Sequence, residues 1–491
     1  MRKEQLVWFD FTTSLQWTRP AVGIVRAEQE ICRWLLRKLE NRLRLCVFDA
    51  STGQFQELDV REAWRVLEQG WRAPDAATAQ ATYPAAAPVS PAPSPPVGRA
   101  RRIEKFLRKI ARAALARMPS AYQPRTRSYL VAAHRILAYA YKEFVAVRAA
   151  GTPSPPQVNA ATPDQASAGP AMGSRPASFR RGDVYITLGL DWDYGGKMEA
   201  LYREKTVNGL RILNFAYDII PVKFPHYFPS GKFDLFSVYF ANMGWTADRI
   251  MCISECTARD LDAFLKRVGA PRPPMSVVRL GDALPATEAS EPCAEIAALR
   301  AAPFLLTVST IEIRKNHESL YKAYVELIES GFDVPMLVVV GMLGWHVDDF
   351  MHSLGNDPRV AGKIVVLNHV TDSELAFLYR NCLFTLYPSL YEGWGLPVAE
   401  SLSYGKFCLA SNAASIPEIA GDIIDYVEPW DVPQWAAKIR LYCSDADALG
   451  RREETIADRY EHTSWESTAE QMIAAIQSIS IPPDEDSSGP P

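Results

Sequence analysis

A chain of 491 residues, 48% hydrophobic and 22% charged, exceeds what one hydrophobic core usually organises, so two domains are expected, each with a sizeable core. The formal charge of −4 gives no overall pull toward nucleic acid, and no apolar run approaches the ~18 residues of a membrane span. The eight cysteines are scattered without paired ligand spacing, which reads as reduced, buried thiols of a cytosolic protein; Cys252 and Cys256 lack the second pair or histidine that a zinc site needs. The N-terminus runs straight into a strand pattern with no signal core, so export by that route is not expected.

In chain order, residues 6–11 read as a first strand, and 22–26 as a glycine-bearing lead into an apolar-periodic helix to about Leu39. Strand, glycine loop and helix together make a phosphate-approach geometry, although many βα units turn on a lone glycine such as Gly23. Residues 43–48 form a second strand, followed by a polar turn and a helix over 60–69. Residues 73–97 and 151–176 are rich in alanine and proline and read as linkers. Between them, residues 99–118 carry eight Lys or Arg against the single acid Glu104, with Ile103, Phe106, Leu107 and Ile110 on one helical face. Such a helix either lies on an anionic lipid surface or packs on the helical pattern of 128–148, and the pattern leaves both open.

Strands resume at 183–189, 211–217 and 249–254, with a helix from Thr257 to Val268 and a last strand over 275–280. Strand ends of doubly wound sheets face the ligand crevice, so Asp218 is an acceptor-side candidate; capping the turn before Pro221 is the structural alternative. Asp191-Trp-Asp193 has the spacing that can hold a divalent cation against a diphosphate, but Asp260 with Asp262 and Asp484 with Asp486 share it. After a hinge-like stretch at 282–294, a second series begins with a strand over 304–308. Its first loop carries Thr310, Arg314, Lys315 and His317, the last reading as a helix-start residue. Strands follow at 336–340 and 364–367, then a loop with Val370, a helix over 372–379, and strands at 383–387 and 407–410. The repeated alternation predicts an α/β protein with two Rossmann-like, doubly wound domains facing a cleft. The expected bounds are 1–290 with a 73–178 insertion, 295–464, a C-terminal helix over 465–478, and a disordered acidic tail over 479–491.

The stretch from Ser389 to Glu400 links the last two of these strands. Pro397 suits a first helical turn, and Gly393 and Gly395 allow close backbone approach, so the helix start offers an anion seat. Glu392 and Glu400 flank it. A carboxylate beside a phosphate repels it unless otherwise occupied, and sugar hydroxyls are the obvious occupants, so the stretch reads as a site for a sugar joined to a diphosphate.

The segment Glu392-Gly-Trp-Gly-Leu-Pro-Val-Ala-Glu400 resembles the E-x7-E signature of family 4 retaining glycosyltransferases of the GT-B fold. The neighbours agree: residues 310–316 resemble its basic donor loop, Ser254 with Thr257 its strand–helix junction, and Gly23-Ile24 with Arg26 its N-terminal glycine loop. The nearest likeness is to bacterial O-antigen and exopolysaccharide mannosyltransferases. The resemblance implies that Arg314, Lys315 and the amides of Gly395, Leu396 and Val398 around Pro397 stabilise a leaving diphosphate. It implies that Glu392 meets the sugar, Glu400 the ribose, Val370 the base, and Gly23 the diphosphate from across the cleft; Thr310, Gly393 and Trp394 complete the donor surface, Trp394 alternatively packing only. It further implies GDP-mannose as co-substrate, no metal, a lipid-linked or growing glycan acceptor, and a cytoplasmic place on the inner face of the membrane. Two positions depart from the pattern. Thr310 stands where many members carry arginine, which confines the cationic clamp to Arg314 and Lys315, and Tyr217 stands where many carry histidine, so the resemblance carries no catalytic role to that position. A nucleotide-sugar epimerase, a glycoside hydrolase and a non-catalytic membrane-docked assembly protein are the competing readings.

Overall fold

The structure, a computed structural model, describes residues 5–18, 21, 23–69, 175–284 and 291–479. The basic helix expected at 99–118, the helix expected at 128–148, nearly all of both linkers and the tail from 480 lie outside the described residues. The residues described fall within one compact unit.

Two sheets organise it. The first contains β1 (Val7–Asp10), β2 (Leu43–Asp49), β3 (Gln54–Leu58), β4 (Arg175–Pro176), β5 (Val184–Thr187), β6 (Arg211–Ala216), β7 (Arg249–Cys252) and β8 (Met275–Val277), in the order β4-β3-β2-β1-β5-β6-β7-β8. β1, β2 and β5 to β8 are parallel, with Phe9 opposite both Leu45 and Ile186. β1 and β5 are buried throughout and apolar up to their last residues, Asp10 and Thr187, as a parallel sheet covered on both faces requires. β3 is antiparallel to β2, and stands where the sequence gives only a polar turn. Its Phe55 and Leu58 point inward while the intervening glutamine and glutamate keep the run polar on average. β4 pairs antiparallel with β3 inside the segment expected to be insertion, and its proline is tolerated because the strand is an edge.

The second sheet contains β9 (Phe304–Val308), β10 (Met336–Val340), β11 (Ile364–Leu367), β12 (Thr385–Tyr387), β13 (Cys408–Ser411) and β14 (Tyr426–Val427), all parallel, in the order β11-β10-β9-β12-β13-β14. The chain leaves β9 in one direction and returns on its other side at β12. That makes the loops after β9 and β12 the topological switch point, where doubly wound sheets open a crevice. In the first sheet β1 sits between β2 and β5, so its switch point lies at the loops following β1 and β5.

The final helix, Trp465–Ile479, packs on Gly23–Leu39, the helix that follows β1, and Lys38 reaches Glu466 at 2.7 Å and Glu470 at 2.8 Å. The last described helix thus packs on the helix that follows β1.

Candidate functional site

The loops at the second switch point are fastened to each other by backbone and side chain. The Leu390 amide donates to the Arg314 carbonyl at 2.8 Å, and Asn316, held at φ +59°, donates its amide to Pro388 O at 3.0 Å and Pro429 O at 2.8 Å. This brings Glu392 against the basic loop. Arg314 Nη1 lies 2.5 Å from Glu392 Oε2, Lys315 Nζ 2.6 Å from Oε1, and the Tyr387 hydroxyl donates to Oε1 at 3.0 Å. Arg314 Nη2 also holds Glu312 at 2.6 Å. Burial alone would raise the Glu392 carboxyl, but the two cations hold it at about 2. Burial, then repulsion by Arg314, draws Lys315 below its usual range, and Glu392 opposes that. Two cations and two carboxylates sum to zero here, so the cations are positioned and charge-balanced by the protein's own acids.

Across from this cluster lies the end of β6. Asp218 caps the following turn through the Ile220 amide at 2.9 Å, the structural role weighed for it, and is also near Arg314 and Glu392. Burial raises its carboxyl, with Arg314 pulling the other way. Gly393 is needed for backbone approach, though not to a ligand: a Cβ there would stand 2.1 Å from the Tyr217 carbonyl. Thr257 Oγ1 bridges the two segments, 3.1 Å from Tyr217 O and 3.4 Å from Gly393 O. The Tyr217 hydroxyl is spent on Leu188 O at 2.9 Å.

Fewer amides stand free at this helix start than the sequence implies. Gly395 adopts φ +126° ahead of the helix Leu396–Ser403, but the Val398 amide donates to Gly395 O at 2.9 Å and Pro397 has none, leaving the amides of Gly395 and Leu396. Trp394 is buried, its ring packed in the core with the Arg279 guanidinium 5.8 Å away, which favours the packing role. Thr310 is exposed, Val370 half-buried just before the capping box of the helix Asp372–Asn381, and Gly23 exposed at φ +53° with open space where a Cβ would be. His317 opens the helix His317–Glu329, and burial, then Lys315, lowers it to about 3, so it is neutral.

Glu400, also buried, accepts the Tyr379 hydroxyl at 2.9 Å and Arg26 Nη1 at 3.2 Å. Arg26 was visible in the sequence only as part of the glycine-loop pattern. Its pairing with an acid 374 positions away has no local signal. A second cluster the sequence did not reveal lies at the ends of β1 and β5: Lys197 Nζ sits 2.9 Å from Asp10 and 2.6 Å from Asp191, and Thr187 Oγ1 donates to Asp191 at 2.7 Å. The Asp-x-Asp pair is therefore split, Asp191 buried on a lysine and Asp193 exposed.

Residues 296–459 match the family model described as glycosyl transferases group 1. The match covers the part of the chain built on the second sheet. The chain is 29% identical over 277 residues to the serotype-specific mannosyltransferase WbdA of Escherichia coli, covering 52% of this chain and 34% of that protein. It is 33% identical over 175 residues to the O-antigen chain mannosyltransferase B of Escherichia coli, covering 35% of this chain and 45% of that one. The chain thus spans less than half the length of these relatives. Among solved structures, Anabaena HepE in complex with UDP and glucose superposes with a TM-score of 0.51 at 12% identity, covering 97% of this chain and all of that one. That likeness, with one mainly parallel and one wholly parallel sheet, makes the fold GT-B.

Proposed function

We propose that the protein is a retaining mannosyltransferase that moves mannose from GDP-mannose to a lipid-linked or growing glycan during cell-surface polysaccharide synthesis. The observation that carries this reading is Glu392 clamped by Arg314 and Lys315 at the switch point of the group 1 domain. The names of the relatives, a serotype-specific mannosyltransferase and an O-antigen chain mannosyltransferase, support the choice of sugar and pathway class. The proposed domain bounds remain 1–290, 295–464 and a C-terminal helix from 465.

The bond between the anomeric carbon and the diphosphate oxygen breaks, leaving positive charge on the sugar and negative charge on the diphosphate. Arg314, Lys315 and the amides of Gly395 and Leu396 stabilise the second, which matters only where the interaction strengthens in the transition state. Glu392 stays ionised at any physiological pH, so it serves the sugar's hydroxyls and developing cation as a fixed charge and not as a proton donor. Glu400 takes the ribose, Val370 borders the base and Thr310 edges the donor loop, while Gly23 admits the diphosphate from the first sheet. The acceptor enters beside Asp218, attacks the same face, and gives its proton to the departing phosphate oxygen. No metal is called for, and the acceptor's lipid places the protein at the cytoplasmic face of an anionic membrane. Among the described residues no helix is long and apolar enough to cross one.

The test is incubation of the purified protein with radiolabelled GDP-mannose, with and without a mannose-terminated acceptor, alongside UDP- and dTDP-sugars. Acceptor-dependent transfer that drops about 100-fold or more in Glu392→Gln is expected. Conversion of the sugar nucleotide without acceptor would point to an epimerase instead, and acceptor cleavage without nucleotide to a hydrolase.

A further inference from the structure

The cation that pairs with Glu400 comes from the opposite sheet. Arg26 stands in the first turn of Gly23–Leu39, and its guanidinium is anchored three ways: Nη1 to Glu400 at 3.2 Å, Nη2 to Asp372 at 2.6 Å, and Nε to Ala21 O at 3.2 Å. Arg26 and Glu400 are each only 6% exposed. A buried carboxyl keeps its charge only when paired. Burial pushes Glu400 upward. Arg26 first and the Tyr379 hydroxyl second pull it down, Asp372 and Asp282 push it up again, and Tyr404 is the other ionisable neighbour. A carboxylate offers about four acceptor positions. Arg26 and Tyr379 use two of them, and a vicinal pair of hydroxyls could use the rest.

We infer that Arg26 is a positioning residue for the nucleotide's ribose: reaching over from the first sheet, it holds Glu400 in the charged, oriented form that accepts the ribose hydroxyls. The ribose site is then complete only while the two sheets are closed on each other, and Asp372 acts by fixing the plane of Arg26. This rests on the assignment of Glu400 to the ribose. Donor recognition and closure become a single event, because the acid and its cation travel on different halves of the molecule.

Calorimetric titration with GDP and 2′-deoxy-GDP, and with the UDP pair in parallel, tests it. The wild-type protein should prefer the ribose form by about ten-fold. Arg26→Gln should lose that preference near neutral pH and regain it as the pH is raised and Glu400 ionises without help. Arg26→Lys should recover part of it, Asp372→Asn should lower it with Arg26 in place, and Glu400→Gln should show none at any pH. A wild type without preference would remove the ribose assignment and the inference together. A wild-type preference that survives Arg26→Gln with an unchanged pH profile would overturn the inference alone. Should Arg26→Gln fail to fold, Asp372→Asn decides, since an undiminished preference there also overturns it.

Discussion

Glu28 shows what one buried carboxyl does to the whole molecule. It lies two residues after Arg26, is fully buried, accepts the Ser14 hydroxyl, and has its other oxygen without a hydrogen-bond partner among the described residues. Burial raises it to about 8; the Ser14 bond and Lys197 oppose this, and Asp10 and Asp191 add to it. The folded carboxyl therefore holds its proton up to about 8 while the unfolded one releases it near 4.5. Between those values unfolding releases a proton, so stability falls as pH rises through the window and is level beyond it. One pKa unit is worth about 1.4 kcal/mol, so several kcal/mol are at stake. Glu28→Gln should flatten the decline in thermal unfolding temperature between about pH 5 and about pH 9. A decline as steep as in the wild type would show that Glu28 titrates normally. Glu392 behaves in the opposite sense: its contribution is present above 4.5 and is lost as pH falls toward 2.

At the scale of elements, the two sheets meet through specific polar contacts as well as a shared core. Glu418, in the short helix Pro417–Ala420 after β13, caps the helix Glu255–Val268 that follows β7, accepting from the amides of Glu255 and Cys256 at 2.8 Å each. Nearby, Tyr391 lies between Lys223 at 2.5 Å and Asp260 at 2.6 Å. A charged acceptor on free helix amides is worth about 1–2 kcal/mol. Glu418→Ala should destabilise by that amount and enlarge the radius of gyration of the empty protein in solution scattering; no change in either would mean that closure is held elsewhere. Such contacts were illegible in the sequence, since Glu418 and Glu255 are 163 positions apart and Glu418 belongs to no motif. The strands bearing the site were legible because β9, β10, β11 and β12 are short apolar runs ending at polar loops. The helix Lys232–Thr246 was not, because apolar residues such as Phe233, Leu235, Val238 and Trp245 also stand on its exposed face and blur the period. Glu392 with its basic loop emerged from local motifs. Arg26 on Glu400 needed the fold.

The molecule as a whole is closed by its last helix. Residues 279–283 carry the chain from the first sheet toward the second, and segment 460–468 grips them: Tyr460 OH and the Thr463 amide both reach Asp282 Oδ2, at 2.8 and 3.0 Å, Trp465 Nε1 donates to Ala283 O at 3.1 Å, and Thr468 Oγ1 to Arg279 O at 2.8 Å. A Cβ on Gly281 would stand 2.4 Å from the Trp465 ring, so crossing and ring are fitted face to face. The same helix buries Met472 and Ile476 in the core that also takes Leu35, Leu36 and Leu39 of the helix Gly23–Leu39. Trp465 therefore supports both the crossing and the helix that bears Gly23 and Arg26. Removing a buried tryptophan costs about 3–5 kcal/mol. On the proposed function, Trp465→Ala should lower the unfolding temperature and, well below it, weaken GDP binding by loosening the helix that sets Arg26. Trp465→Phe keeps most of the packing without the hydrogen bond and should restore most of the binding. If the alanine variant loses stability yet binds GDP as the wild type does, the last helix acts on the core alone and the placement of Arg26 is fixed by Asp372 and Glu400.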